Sequence, residues 1–266
     1  MSSRYKNTAR QKVAPNALAA QTQAKFQQAL QLHQQGQLTK AQALPYAVGD
    51  GESHILNICR ASGMTSFLEP DAKTLKLFKV LKPLGEVVNR EPLQTQRLDN
   101  ITEIEHLDFL KIDIQGGELD VFKSGRQRLS EAVAIQTEVS FVALYKDQPA
   151  FGEIDIELRH QGFIPHCFDY VKKWPIDPYV INNNPRLALN QLLEADIVYM
   201  RNIAYPELMS DEQLKHLALI AHFCYKSFDL ALRCVMLLEQ RGTVVVGSQS
   251  AYIASLSTKT TQKEVK

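Results

Sequence analysis

Three carboxylates lie near the ends of two apolar segments in the middle of the chain. Asp113 is near the end of LDFLKIDI, Glu118 follows shortly after it, and Glu138 is near the end of AVAIQTEV. Both segments are predicted to be buried strands, and ligands bind where the carboxyl ends of such strands meet. Carboxylates at that edge can move a proton or orient a ligand. The sequence therefore predicts an acid–base site with Asp113, Glu118 and Glu138 as the candidate catalytic residues.

Each of these acids also has a structural interpretation. Glu118 is predicted to lie in the first turn of a helix, where the helix macrodipole favours a negative charge. Asp113 can be a turn or capping residue, and Glu138 can be a buried partner of Lys111. Gly116, between the first two acids, allows the backbone to turn sharply and to approach a ligand closely. The residue types alone leave both interpretations open.

Alternating strands and helices must position these acids, and this alternation is typical of a parallel, doubly wound α/β sheet. The sequence predicts a hairpin between residues 46–48 and 54–59, and a β-like segment at residues 242–254. Asp71, Asp99 and Ser210 are the predicted helix caps. The other predicted strands span residues 87–98, 107–114, 132–139, 163–170 and 196–200. The main predicted helices span residues 118–129, 151–161 and 211–240.

The segment LDFLKIDIQGGELDVF at residues 107–122 resembles the signature of the FkbM-type methyltransferases. PYAVGDGES from Pro45 and IQTEVSFVALYKDQPAFGEI from Ile135 agree with that family in order and spacing. The resemblance implies an incomplete class I, Rossmann-like sheet, S-adenosylmethionine as cofactor, and O-methylation of a sugar or natural-product hydroxyl. Of Asp113 and Glu118, one would accept the hydroxyl proton and the other would orient the ligand or the hydroxyl, with Glu138 as a third candidate.

Residues 1–44 do not carry the front part of that family pattern. The Gly-rich turn of the form DxGANxG is not found before Pro45, so the cofactor-binding residues are unknown. Instead, a basic arm precedes AKFQQALQLHQQGQLTKAQAL, which resembles half of a tetratricopeptide repeat. Loss of only two charge-assisted hydrogen bonds would weaken cofactor binding by about 10²–10⁴. Two interpretations follow: an O-methyltransferase that truncation can inactivate, or a degenerate, non-catalytic domain that serves as an interaction module or is a gene relic.

The sequence predicts three regions along the chain. Residues 1–44 form the basic arm and helical remnant, residues 45–203 form the partial methyltransferase domain, and residues 204–266 form a C-terminal helical extension and tail. A sheet that lacks its front strands exposes an edge, so an oligomer or a partner is expected there.

Composition excludes several other functions. A net charge of +1 argues against nucleic-acid binding, and no apolar segment reaches the roughly 18 residues of a membrane span. Four scattered cysteines predict buried, reduced thiols in a cytoplasmic protein. The histidines form no HExxH motif or close pair, so no metal site is predicted. Trp174, Tyr170 and Tyr179 lie in a predicted aromatic loop beyond a strand end. This loop can be a stacking wall for a small-molecule or saccharide acceptor, or simply a loop that is anchored on the core.

Overall fold

The structure is a computed structural model, and it describes residues 44–260. The predicted basic arm and helical remnant therefore lie outside the described residues, apart from Leu44. From Val48 onward the described residues form one compact unit. Among them, no helix is both long enough and apolar enough to cross a bilayer.

This unit contains eight described strands and eight described α-helices. The strands are β1 (Val48–Gly49), β2 (Ser53–Cys59), β3 (Val87–Gln94), β4 (Gln96–Arg97), β5 (Phe109–Ile112), β6 (Ala134–Ser140), β7 (Phe163–Lys173) and β8 (Leu192–Arg201). The helices are α1 (Ala72–Leu77), α2 (Leu81–Leu84), α3 (Glu118–Ser124), α4 (Arg126–Leu129), α5 (Phe151–His160), α6 (Asp211–Phe223), α7 (Phe228–Gln240) and α8 (Ser248–Thr260).

The largest sheet has the strand order β5-β6-β8-β7. Strands β5 and β6 are parallel, and β8 runs antiparallel to both β6 and β7. The α/β class is confirmed, but the prediction of a wholly parallel sheet is wrong at β8. An apolar segment carries no information about strand direction. The chain between β7 and β8 also has no crossover helix, which a parallel connection requires.

Helices cover the apolar residues of this sheet. On one face α6 and α7 contribute Leu214, Leu217 and Leu238 to a core that includes Ala134 of β6 and Val198 of β8. Helices α3 and α5 contact each other, and their inward residues are fully or almost fully buried; these are Leu119, Phe122, Ile154 and Leu158. In the predicted helix 118–129, Leu119, Phe122 and Leu129 are buried, although Gly125 divides that helix into α3 and α4.

The N-terminal strands do not form the predicted hairpin. Strand β1 pairs in parallel with β4, whereas β2 pairs with β3 in the antiparallel direction. The turn at Gly51, with φ of +94°, is instead held by distant residues. The Gly51 backbone N–H donates to Thr95 Oγ1 over 2.9 Å, and Gln94 Nε2 donates to the Gly51 carbonyl over 2.7 Å.

Two of the predicted caps are confirmed. Asp71 accepts a hydrogen bond from the Lys73 backbone N–H at the start of α1. Ser210 forms a reciprocal capping box with Gln213 at the start of α6. The prediction for Asp99 is wrong, because its carboxylate accepts from the backbone N–H groups of Gln127 and Arg128 and so caps α4 instead.

The β-like interpretation of residues 242–254 is also wrong, since this segment is a turn followed by α8. Val245 and Val246 are 79% and 92% exposed, so no sheet buries them. The Glu239 carboxylate accepts hydrogen bonds from the backbone N–H groups of Gly247 and Gln249, which supplies partners at the start of α8.

The expectation of buried thiols holds for Cys59 and Cys234 only, because Cys167 and Cys224 are exposed.

Candidate functional site

The turn after β5 has an unusual backbone. Gln115 has a φ of 61° and Gly116 a φ of 102°, so two successive residues occupy the left-handed region. The positive φ of Gly116 explains the glycine, because L side chains rarely adopt this conformation. The Ser66 hydroxyl donates to the Gln115 carbonyl over 2.6 Å. A left-handed, non-glycine residue that is held in this way is typical of functional sites.

The carboxylate of Glu118 stabilises this turn through hydrogen bonds to its backbone. It is only 3% exposed. Its Oε1 accepts the Ile114 backbone N–H at 2.8 Å, and its Oε2 accepts the Gly116 backbone N–H at 2.9 Å. Burial raises the pKa of Glu118, and the nearby Asp113 adds to that rise, while the backbone hydrogen bonds oppose it. Both carboxylate oxygens face the turn, so the side chain is placed to fix the turn's shape.

Gln115 connects the other two predicted acids. Its Nε2 lies 2.7 Å from Asp113 Oδ1 and 3.3 Å from Glu138 Oε2. The strand register explains this proximity, because Ile112 of β5 pairs with Thr137 of β6, and each acid is the next residue along its strand. Tyr145 adds a hydroxyl that lies 3.3 Å from Gln115 Oε1. The structure therefore brings Asp113 and Glu138 to one edge of the sheet.

Glu138 lies in a strongly acidic environment. Burial is the largest cause that raises its pKa to about 9, followed by the charges of Glu194 and Asp113. Lys172 lowers the pKa, but it also forms an ion pair with Glu194. The raised pKa favours the protonated form of Glu138, which can donate a hydrogen bond. Lys172, rather than the expected Lys111, is the cation that acts on Glu138.

Sequence reasoning missed four residues of this edge: Gln115, Tyr145, Lys172 and Glu194. Gln115 could have been found, because it lies within the signature segment and its neighbouring glycines indicate a special turn. Lys172 and Glu194 carry no local signal. They come to the site only because β8 lies between β6 and β7, with Lys172 opposite Glu194 in the register.

The predicted aromatic wall is only partly formed. A pocket of about 340 Å³ is lined by Trp174, Pro175, Ile176, Tyr179, Leu189, Asn190 and Gln191. Tyr170 is not part of this lining. The Trp174 Nε1 atom is buried without a hydrogen-bond partner in the described structure. Lys172 Nζ lies 5.7 Å from the centroid of the Trp174 ring, which connects this pocket to the acidic edge.

Comparison with known proteins gives a match that covers the candidate acids. A family model described as the methyltransferase FkbM domain matches residues 15–165, more than half of the chain. The chain belongs to the FkbM methyltransferase family. The match includes the three predicted acids of this FkbM domain, together with Gln115 and Tyr145. It stops at residue 165, before β8. No curated protein and no solved structure matches the chain.

Proposed function

We propose that this FkbM domain is an O-methyltransferase that uses S-adenosylmethionine and a hydroxyl of a saccharide or natural product. The observation that carries the proposal is the Gln115-linked pair of Asp113 and Glu138 at the carboxyl end of two adjacent parallel strands. Open α/β sheets bind their ligands at this edge. The sheet order, with one antiparallel strand beside parallel ones, supports a class I, Rossmann-like arrangement.

The charge of the site fits a cationic methyl donor. Glu138, Asp113 and Glu194 bring carboxyl groups together, and the raised pKa of Glu138 reflects their mutual repulsion in addition to burial. Glu138 is neutral when protonated and Glu194 pairs with Lys172, so the charge that a bound sulfonium would compensate is mainly that of Asp113. When bound, S-adenosylmethionine supplies the electrophilic methyl group. Members of the family typically use this cofactor.

The protein's own groups have distinct tasks in this proposal. The Asp113 side chain is exposed, so it can accept the proton of an acceptor hydroxyl. Protonated Glu138 donates a hydrogen bond that orients the hydroxyl or the cofactor. Glu118 keeps both of its oxygens on the turn and so positions Asp113 and Gln115. The pocket beside Trp174 supplies an aromatic surface on which the acceptor ring can stack.

A transfer assay with variants tests these tasks. Asp113→Asn removes the proton acceptor but keeps the shape, and general-base catalysis is worth about 10²–10⁴ in rate. We expect that loss in kcat, measured with radiolabelled S-adenosylmethionine and a panel of saccharides and polyketides. Asp229→Asn, at an exposed acid of α7, is the matched control and should retain full turnover. Wild-type turnover in Asp113→Asn would contradict the assignment.

A degenerate, non-catalytic domain is the second candidate function. A specific observation favours it: the pocket that includes Ile114 and Gly117 of the site turn measures only about 70 Å³, whereas ligand pockets usually start at roughly 300 Å³. Residues 1–44 also lack the DxGANxG turn of the family pattern. Calorimetric titration with S-adenosylmethionine separates the two. Micromolar binding supports the enzyme, and no heat at millimolar cofactor with an intact circular dichroism spectrum supports the interaction module.

A further inference from the structure

Two histidines and an aspartate meet at the edge of the sheet opposite the candidate active site. His106 and Asp108 directly precede β5, whereas Asp113 directly follows it. His216 comes from α6 and lies 108 residues further along the chain than Asp108. Because His216 is so distant in the sequence, local residue spacing could not predict this cluster.

The three side chains bring their donor atoms close together. Asp108 Oδ1 lies 2.7 Å from His106 Nε2 and also contacts His216 Nδ1. One donor atom from each of the three residues lies within 4.8 Å of the other two. The two imidazole rings meet edge to face with centroids 6.0 Å apart. Two imidazole nitrogens and one carboxylate oxygen are a common ligand set for zinc.

A further carboxylate orients one of the histidines. Glu131 Oε2 lies 3.0 Å from His106 Nδ1, the ring nitrogen that does not face Asp108. Histidines that bind metals usually donate their second ring N–H to a carboxylate in this way. Gln213 of α6 donates to the Glu131 carbonyl over 3.1 Å, so the residues around the cluster are tied together.

Two carboxylates lie beside the two imidazoles of the cluster, because Asp108 contacts both rings and Glu131 contacts His106. The donor groups are partly open to solvent, with side-chain exposures of 53% for His106, 35% for Asp108 and 32% for His216. His106 and His216 border a pocket of about 300 Å³ that also includes Ser130, Ser210 and Glu212. Water or a small ligand can therefore reach the cluster.

We propose that His106, Asp108 and His216 bind a divalent transition-metal ion of the zinc class. The fourth position is open to water from the adjoining pocket, and Glu131 holds His106 in orientation. Imidazole ligands select zinc, copper, nickel or cobalt over magnesium and calcium, which prefer oxygen. The bound ion joins α6 to the start of β5. This site is separate from the edge that carries Asp113 and does not depend on the proposed methyl transfer.

Titration calorimetry on the full chain tests the proposal. The protein should be prepared without a polyhistidine tag and with Cys167→Ser and Cys224→Ser, because these two thiols are exposed and bind zinc themselves. We expect one Zn²⁺ per chain in the micromolar range or tighter, and no comparable response to Mg²⁺. His216→Gln and Asp108→Asn should each weaken binding at least ~10-fold, and Glu131→Gln about 10–100-fold.

Matched controls make the result decisive. His160→Gln, at an exposed histidine of α5, should leave the affinity unchanged, and His106→Gln should repeat the loss at the most exposed ligand. A Co²⁺-loaded wild-type protein should show tetrahedral ligand-field absorption that His216→Gln lacks. No saturable Zn²⁺ binding by the wild type would overturn the proposal. Equal affinity in the wild type and in all three ligand variants, or an equal response to Mg²⁺, would do the same.

Discussion

Glu138 shows how surroundings decide what a single carboxyl group can do. The sequence predicted that this acid lies at a strand end, but it did not predict the charge state of the carboxyl group. Its pKa of about 9 follows from burial and from neighbouring acids, of which Glu194 is contributed by β8. Such a group binds a proton more tightly in the folded protein than in the unfolded chain. Its effect on stability therefore depends on pH.

The sign of that dependence can be tested with Glu138→Gln. Because the folded pKa lies above the ordinary value of 4.5, protonation stabilises the fold fully below about pH 4.5. The benefit is lost as pH rises towards about 9. Relative to the variant, the wild type should lose at least ~1 kcal/mol of unfolding free energy between about pH 5 and about pH 8.5.

Urea unfolding at both pH values measures this difference. Glu207→Gln, at an exposed acid, provides the reference for general pH effects. A constant gap between wild type and Glu138→Gln across the range would show that Glu138 has an ordinary pKa.

Among the helices and strands, the correct predictions concern residues whose partners lie close to them in the sequence. Asp71 and Ser210 were predicted correctly as caps because each bonds to a backbone N–H within three residues. The predicted helix 151–161 ends one residue later than α5 does, and Gly162, with φ of +86°, follows it. The failures involve distant partners, since Gly51 bonds to Thr95 and Asp99 bonds to Gln127. No sequence window of ordinary length contains both members of these pairs.

The Asp99 contact gives a prediction for α4. Asp99→Ala removes the acceptor for the backbone N–H groups of Gln127 and Arg128, so we expect a loss of about 1 kcal/mol in unfolding free energy. Asp99→Asn keeps an acceptor oxygen and should lose less. Chemical denaturation of both variants measures the effect, and equal losses would show that charge rather than hydrogen bonding matters.

At the scale of the molecule, the compact unit from Val48 onward is stabilised by a core that local sequence patterns only partly predicted. The alternation of elements predicted an α/β protein, and the signature segment predicted where the acids lie. The position and direction of β8 could not be predicted from these patterns, because both depend on pairing with distant strands of the sheet. Lys172, Glu194 and the His106–Asp108–His216 cluster could not be predicted for the same reason.

The contribution of α6 to this core can be measured. Leu217 is fully buried against the sheet, and Leu217→Ala should cost about 2–5 kcal/mol of unfolding free energy. Leu219 lies on the same helix but is 53% exposed. Leu219→Ala should therefore change stability by no more than about 0.5 kcal/mol. Similar values for the two variants, by urea denaturation, would contradict the packing of α6 on the sheet.

This shared core also limits how the protein can be shortened. A recombinant fragment ending at Ile203 would retain the acids but lose Leu214, Leu217, Leu237 and Leu238 from α6 and α7. The apolar face of β6 and β8 would then meet water, and such patches promote aggregation. A fragment that keeps this core intact must therefore extend through α7, well past the last residue of the family match.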